Sequence, residues 1–91
     1  MSYAREELIM ISRGDVSEYA LKAIIALRES REDEVVVLKG RGDNICKAID
    51  VYNEIKSRLG DALKLVSVNI GSERAGRRKL SYIEIRLRME L

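Results

Sequence analysis

The sequence predicts a two-layer α+β domain with the element order βαβαββ. Three observations carry that prediction. Two amphipathic helical stripes alternate with short β-branched runs. The last run, from Ile83 to Glu90, alternates apolar and charged residues strictly. A glycine-bounded, cation-rich stretch joins the last two runs as a hairpin tip.

The elements follow in chain order. Residues 7–12, ELIMIS, read as a short buried strand. In the next stretch Asp15 and Glu18 stand in capping-box spacing, each side chain able to satisfy a free amide of a first helical turn. Val16, Tyr19, Ala20, Ala23, Ile24 and Leu27 then form one apolar stripe, which predicts a helix over roughly 15–30. Residues 34–39, EVVVLK, are continuously apolar and β-branched, as a strand covered on both faces would be. Asp43 or Asn44 can cap a second helix, striped by Ile45, Ala48, Ile49, Tyr52, Ile55 and Leu59 and stopped at Gly60. Val66, Val68 and Ile70 alternate with Ser67 and Asn69 as a third strand. GSERAGRRKLS, residues 71–81, is the hairpin tip before the final strand. Two strand–helix crossovers favour parallel first strands, and the hairpin adds an antiparallel one. The clean alternation at the end implies one packed and one wet sheet face.

Composition narrows the function. Ninety-one residues make one domain, spanning 1–91, too small for a deep catalytic pocket and suited to a binding module or a subunit that pairs. With one cysteine, Cys46, and no histidine, disulfides, zinc knuckles and Cys/His nucleophile pairs are excluded. No metal and no cofactor is implied. No apolar run approaches the roughly 18 residues of a membrane span, and the N-terminus lacks a signal-peptide core, so the expected location is cytoplasmic. The charged fraction of 35% without proline or tryptophan leans toward a heat-adapted source. Charge is unevenly spread: residues 1–38 carry five cations and eight acids, 39–70 six and four, and 71–91 six and three. The basic excess therefore lies in the middle loop and the C-terminal part.

Two stretches sit where a strand gives way to a helix, Ser12–Asp15 and KGRGDN from Lys39 to Asn44, and the topology places them on one sheet edge. Each offers an arginine beside a glycine, with free helix amides behind it, an arrangement that can grip phosphate. A tight turn with a capping aspartate and a solvated arginine fits the same letters. Arg41-Gly42-Asp43 also spells an adhesion tripeptide, a coincidence given Asp43's place at a helix start. In the tip, Arg74, Arg77, Arg78 and Lys79 have only Glu73 near them. Such an arm can track phosphates or reach into a groove, or serve as a charged loop that discourages edge pairing. It carries no aromatic residue for stacking on bases. Lys47 lies in a first helical turn, where the dipole disfavours a cation unless an anion faces it. Tyr19 and Tyr52 read as core residues and Cys46 as a semi-buried filler. No catalytic set assembles: Asp50, Glu54 and Arg58 are spaced as a surface ion-pair ladder.

VVLKGRGDNICKAIDVYNEIKSRL resembles the Alba family of archaeal chromatin proteins, whose members carry a strand, a K-x-R-G loop and a helix beginning near I-S-K-A-[VI]-D. Lys39, Arg41, Gly42, Ile45, Lys47, Ala48 and Asp50 fit, with Cys46 at the serine position. VSEYALKAI resembles the family's first helix, and IGSE with a basic tip and YIEIRL its final hairpin. The resemblance implies a fold like the C-terminal domain of translation initiation factor three, a mixed four-stranded sheet with two helices on one face. It also implies a dimer that binds double-stranded DNA, and often RNA, without regard to sequence. In that reading Arg13, Lys39, Gly40, Arg41, Gly42 and Lys47 form the central surface, and Arg74, Arg77, Arg78 and Lys79 the arms. The first loop departs from the family's lysine pair, since it reads Arg13-Gly14-Asp15 here. Asp43 stands at an often basic position, and Leu59 where a phenylalanine often joins dimer to dimer. These departures imply a divergent paralogue with weaker DNA and dimer–dimer contacts. It would act as a homodimer or as a heterodimer with a more typical Alba chain. An RNA-directed ribonucleoprotein role is the alternative.

Overall fold

The computed structural model describes residues 5–90; the ends of the expected 1–91 span, residues 1–4 and Leu91, lie outside them. Strand β1 is Arg5–Ile11, helix α1 Val16–Glu29 and strand β2 Glu34–Arg41. A 3-10 turn, Gly42–Asn44, leads into helix α2, Ile45–Leu59. A second 3-10 turn, Gly60–Ala62, leads into strand β3, Leu63–Ala75, and strand β4, Arg78–Met89, closes the chain. The order is the expected βαβαββ, in a mixed four-stranded sheet arranged β1-β2-β4-β3. β1 and β2 are parallel, while β4 is antiparallel to both β2 and β3.

Both helices contribute to one apolar core on one sheet face. Ala20, Ala23, Ile24 and Leu27 of α1 meet Ala48, Val51 and Ile55 of α2 over Ile9, Ile11, Val36, Leu38, Ile83, Ile85 and Leu87. The α1 stripe is as expected. The α2 stripe is rotated: Val51 is fully buried, whereas Ile49 is 40% exposed. β2 is internal to the sheet, and Val35, Val36, Val37 and Leu38 are all buried. Cys46 is exposed rather than semi-buried, because two residues before Ala48 is roughly 200° around α2, on the side opposite the buried face.

The turns differ from expectation in instructive ways. Asp15 occupies the N-cap position of α1, but its side chain makes no capping bond. Its backbone carbonyl accepts from the Glu18 and Tyr19 amides instead. Asp43 lies inside the 3-10 turn, and the N-cap of α2, Asn44, makes no side-chain bond either. Gly60, at φ 58°, ends α2 as expected.

The third strand is much longer than residues 66–70. A β-bulge between Leu65 and Ser67 makes Val66 the extra residue. The bulge resets the alternation, so that Leu65, Val68 and Ile70 stand opposite Leu87, Ile85 and Ile83 on the helix side of the sheet. β3 is an edge strand, and these three are left 48%, 47% and 78% exposed. The hairpin tip shrinks to a two-residue turn, Gly76-Arg77, with Gly76 at φ 66° as a type II′ turn requires.

Candidate nucleic-acid interface

Three segments meet at one end of the sheet. β1 and β2 run parallel and finish in register, Ile11 beside Gly40, so the loop after each lies on the same edge. Arg41 pairs with Tyr82 of β4, and β3 and β4 continue past that pair as a two-stranded ribbon. From Ser72 to Ala75 that ribbon adds roughly 13 Å of reach at ~3.3 Å per residue. The expected site residues are thus brought to one end: Arg13 on the first loop, Lys39 to Gly42 at the end of β2, Lys47 on α2 and the four hairpin cations.

The ribbon sorts its cations by register. Arg74 lies opposite Lys79, so the two share a side, while Arg78, opposite Ala75, projects from the other. Arg77 sits on the turn itself. All four are exposed, as is Arg13, and none makes an ion pair among the described residues.

The central pair is engaged differently. Lys39 Nζ lies 2.8 Å from Glu73 Oε1 and 3.3 Å from Glu84 Oε2. Arg41 Nη1 reaches the other Glu73 oxygen at 3.2 Å. Lys39 also stands 4.7 Å from the centre of the Tyr82 ring, a cation–π contact. Gly71, opposite Tyr82, leaves room for that ring: a Cβ there would stand 2.8 Å from the Tyr82 hydroxyl. The network continues across the sheet, where Arg86 bonds Glu6 at 2.7 Å and Glu84 at 3.3 Å. The face away from the helices therefore carries a network of alternating charges beside an apolar part, where Val35 and Val37 are buried and Leu8 and Met10 exposed. The hydrogen bond from Lys39, with help from Arg41, holds the Glu73 carboxyl below its ordinary range. The bond to Glu73, then that to Glu84, raises the Lys39 ammonium above its own. Arg86 is likewise raised, chiefly by Glu6.

Lys47 is turned inward to the first loop. Its ammonium donates to the carbonyls of Ser12, at 2.8 Å, and Gly14, at 3.1 Å. That contact resolves the unfavourable position of a cation near a helix start, since the facing partners are carbonyl dipoles. Tyr19 buttresses the same loop. Its hydroxyl accepts from the Ser12 amide at 3.1 Å, donates to the Arg13 carbonyl at 2.6 Å and meets the Ser12 hydroxyl at 3.2 Å. Hydrogen bonds from the Ser12 hydroxyl and amide, then the charges of Lys47 and Lys22, hold the Tyr19 phenol below its ordinary pKa. Tyr19 is thus half core, half loop anchor.

The two glycines of the second loop divide their work. A Cβ on Gly40 would press into the Asn44 carbonyl oxygen and stand 3.0 Å from the Ala48 Cβ, so its smoothness serves the packing of α2 onto β2. Gly42, at φ 55°, has open space around it apart from Leu80 at 3.6 Å and turns the chain into α2. Leu59 is half-buried against the core. Of the Asp50–Glu54–Arg58 ladder only the Glu54–Arg58 rung forms, at 3.3 Å.

Residue reading missed the acids. Glu73 was visible only as a neighbour of the arginines, and Glu84 only as half of an alternation. Aligning β2 antiparallel to β4 sets Lys39 directly opposite Glu84, and one more strand brings Glu73 to the same face. Register was the missing signal.

The fold is a small α+β domain with a mixed four-stranded sheet, two helices on one face and a cation-rich ribbon beside two strand–helix loops. The Alba family model matches residues 7–72, and the chain belongs to the Alba family. It is 40% identical over 88 residues, 97% of both chains, to "DNA/RNA-binding protein Alba 2" of Saccharolobus solfataricus. The same figures hold for the Alba 2 of Saccharolobus shibatae. Alba from Thermoplasma volcanium superposes with a TM-score of 0.78 at 23% identity, covering 90% of this chain and 99% of that one. ALBA1 from Trypanosoma brucei gives 0.79 at 14% identity, covering 92% and 69%. These two likenesses speak to fold alone.

Proposed function

We propose that this chain is a non-enzymatic chromatin protein that binds double-stranded DNA without regard to sequence, coats or compacts it as a dimer, and also binds RNA. The observation that carries this reading is the set of five exposed cations, Arg13, Arg74, Arg77, Arg78 and Lys79, gathered at one end of the sheet with no acid paired to them among the described residues. The printed name of the Saccharolobus relatives, DNA/RNA-binding, supports it. A ribbon with no aromatic residue at its tip suits phosphate tracking rather than base stacking. Arg41 and Lys39 complete the surface at the ribbon's base, Gly40 and Gly42 shape it, and Lys47 fixes the loop that presents Arg13. The chain would act in the cytoplasm on the chromosome, as one domain over 1–91.

Pairing is supported by the apolar strip of β3. Leu65, Val68 and Ile70 are exposed together, and Ile70 adjoins Ile45, with Ile49 one turn further along α2. The occupant we assign is a second Alba-type chain, identical or a more typical paralogue. Leu59, half-buried against its own core, stands where dimer–dimer contact is assigned, and a leucine there offers less than a phenylalanine would. One observation favours the reading of a weak binder that modulates a partner: Glu73 already pairs with both Lys39 and Arg41 and offsets one of their two charges.

Fluorescence anisotropy of a labelled duplex at several salt concentrations tests the proposal. The expected log–log plot is linear, with a slope of about −0.9 per phosphate and at least about four phosphates per bound unit. Random duplexes should bind alike, and structured RNA at matched salt ranks the two targets. Absence of binding at about 50 mM salt, where such binders are strong, would overturn the DNA reading.

A further inference from the structure

Within the nucleic-acid reading, on which this rests, we infer that Glu73 sets the affinity of the central surface by occupying the anion position between Lys39 and Arg41, so that a nucleic-acid phosphate must displace its carboxylate to bind there. The geometry is that of a fork holding an anion. One carboxylate oxygen meets Lys39 Nζ at 2.8 Å and the other meets Arg41 Nη1 at 3.2 Å. A phosphate presents two oxygens in the same way, and charge-assisted bonds of this type do not distinguish the two anions. The carboxylate comes from β3 at the base of the ribbon, so it lies on the path from the central loops to the arm.

Two features make the occupant exchangeable. The Glu73 side chain is 32% exposed and Arg41 41%, and ion pairs open to solvent are weak against the release of counterions from a duplex. Lys39 has a second acid, Glu84, at 3.3 Å, so it does not lose its only partner when Glu73 departs. Glu84 therefore keeps Lys39 half neutralised, and the cation that Glu73 alone withholds is Arg41. The gain on removing Glu73 should accordingly be worth about one phosphate contact rather than two.

The experiment compares wild type with Glu73→Gln, which keeps shape and removes charge, and with Glu54→Gln. The latter makes the same change in net charge on α2, away from the ribbon, where Glu54 pairs with Arg58. Duplex anisotropy over about 50–300 mM salt is the readout, with far-ultraviolet circular dichroism and thermal melting confirming that each variant folds. Glu73→Gln is expected to bind about five- to tenfold more tightly near 0.1 M salt, with a log–log slope steeper by about 0.9. Glu54→Gln should change affinity by less than about twofold, the scale of an exposed charge without a phosphate contact. Adding Arg41→Ala to Glu73→Gln should return both affinity and slope to near wild type. The inference is overturned if folded Glu73→Gln binds no tighter than wild type, or if Glu54→Gln gains as much. If neither wild type nor Glu73→Gln binds duplex or RNA at about 50 mM salt, the nucleic-acid reading falls and the inference falls with it, a result distinct from binding that Glu73 does not modulate.

Discussion

At the scale of single residues, the chemistry of this surface is decided by which cations already have anions. Lys39 and Arg41 share Glu73, whereas Arg13 and the ribbon cations have no ion-pair partner among the described residues. Residue types and their order in the chain were legible, and the lysine, arginine and glycines of the second loop drew notice at once. Partnership was not, since it depends on strands 30 and more residues apart. The titration of Glu73 checks it directly. Its carboxyl is held below the ordinary 4.5 chiefly by the Lys39 hydrogen bond. A depressed carboxyl stabilises the fold above its unfolded value, and that contribution is lost as pH falls through the folded value. Lys39, raised above 10.5, contributes below that value and loses its contribution as pH rises through its folded one. The pair's contribution is therefore full between the ordinary values of the two groups, 4.5 and 10.5, and fades beyond them. Carbon-detected NMR of the Glu73 side chain should give a midpoint below 4.5, and Lys39→Met should move it upward. A midpoint unmoved by Lys39→Met would separate the two groups.

At the scale of elements, the sequence showed existence and type better than bounds. The helical stripes and the terminal alternation were clear because each repeats a period several times. The extent of β3 was not, because the bulge at Leu65–Ser67 breaks the two-residue period. The hairpin read as a loop because its cations and glycines resemble one, yet register carries the pairing out to Ala75 and Arg78. The junction of β2 with α2 is the element-level device that positions the site, and Gly40 is its tight point. Gly40→Ala should cost about 1–3 kcal/mol, the range for forcing a methyl into a packed place. The added carbon would meet backbone, with the Asn44 carbonyl carbon only 2.9 Å away. Gly42→Ala meets open space and carries only the positive-φ penalty of about 1–2 kcal/mol. Urea denaturation compares them. The Gly40 variant should also shift the amides of the 42–44 turn, as strain there must be relieved by moving the turn. A Gly40→Ala protein as stable as wild type would remove the junction from the account.

At the scale of the whole molecule, the sheet has two unlike edges. β1 is short, while β3 is long and lines its helix-side flank with Leu65, Val68 and Ile70. A surface strip of that kind on a small chain calls for cover, since burying it against a like strip removes apolar area from water at the edge where the strand's own hydrogen-bonding groups are open. The bulge that hid β3 in the sequence is what aligns the strip. Pairing through it would also set two ribbons and two loop pairs on one body, doubling the phosphates met in one binding event. Ile70→Asp tests the coupling, because Ile70 is 78% exposed and the substitution takes nothing from the core. Light scattering after size exclusion should show wild type at about twice the monomer mass and Ile70→Asp at the monomer mass, as a charge in an apolar interface core is disfavoured. Leu21→Asp, on α1 and also exposed, should leave the mass unchanged. The salt slope for duplex binding should fall by about half in the Ile70 variant, since each bound unit then offers one set of cations. Should Ile70→Asp keep the wild-type mass, the strip is not the pairing surface. Should it become monomeric with an undiminished slope, the two halves do not share one duplex.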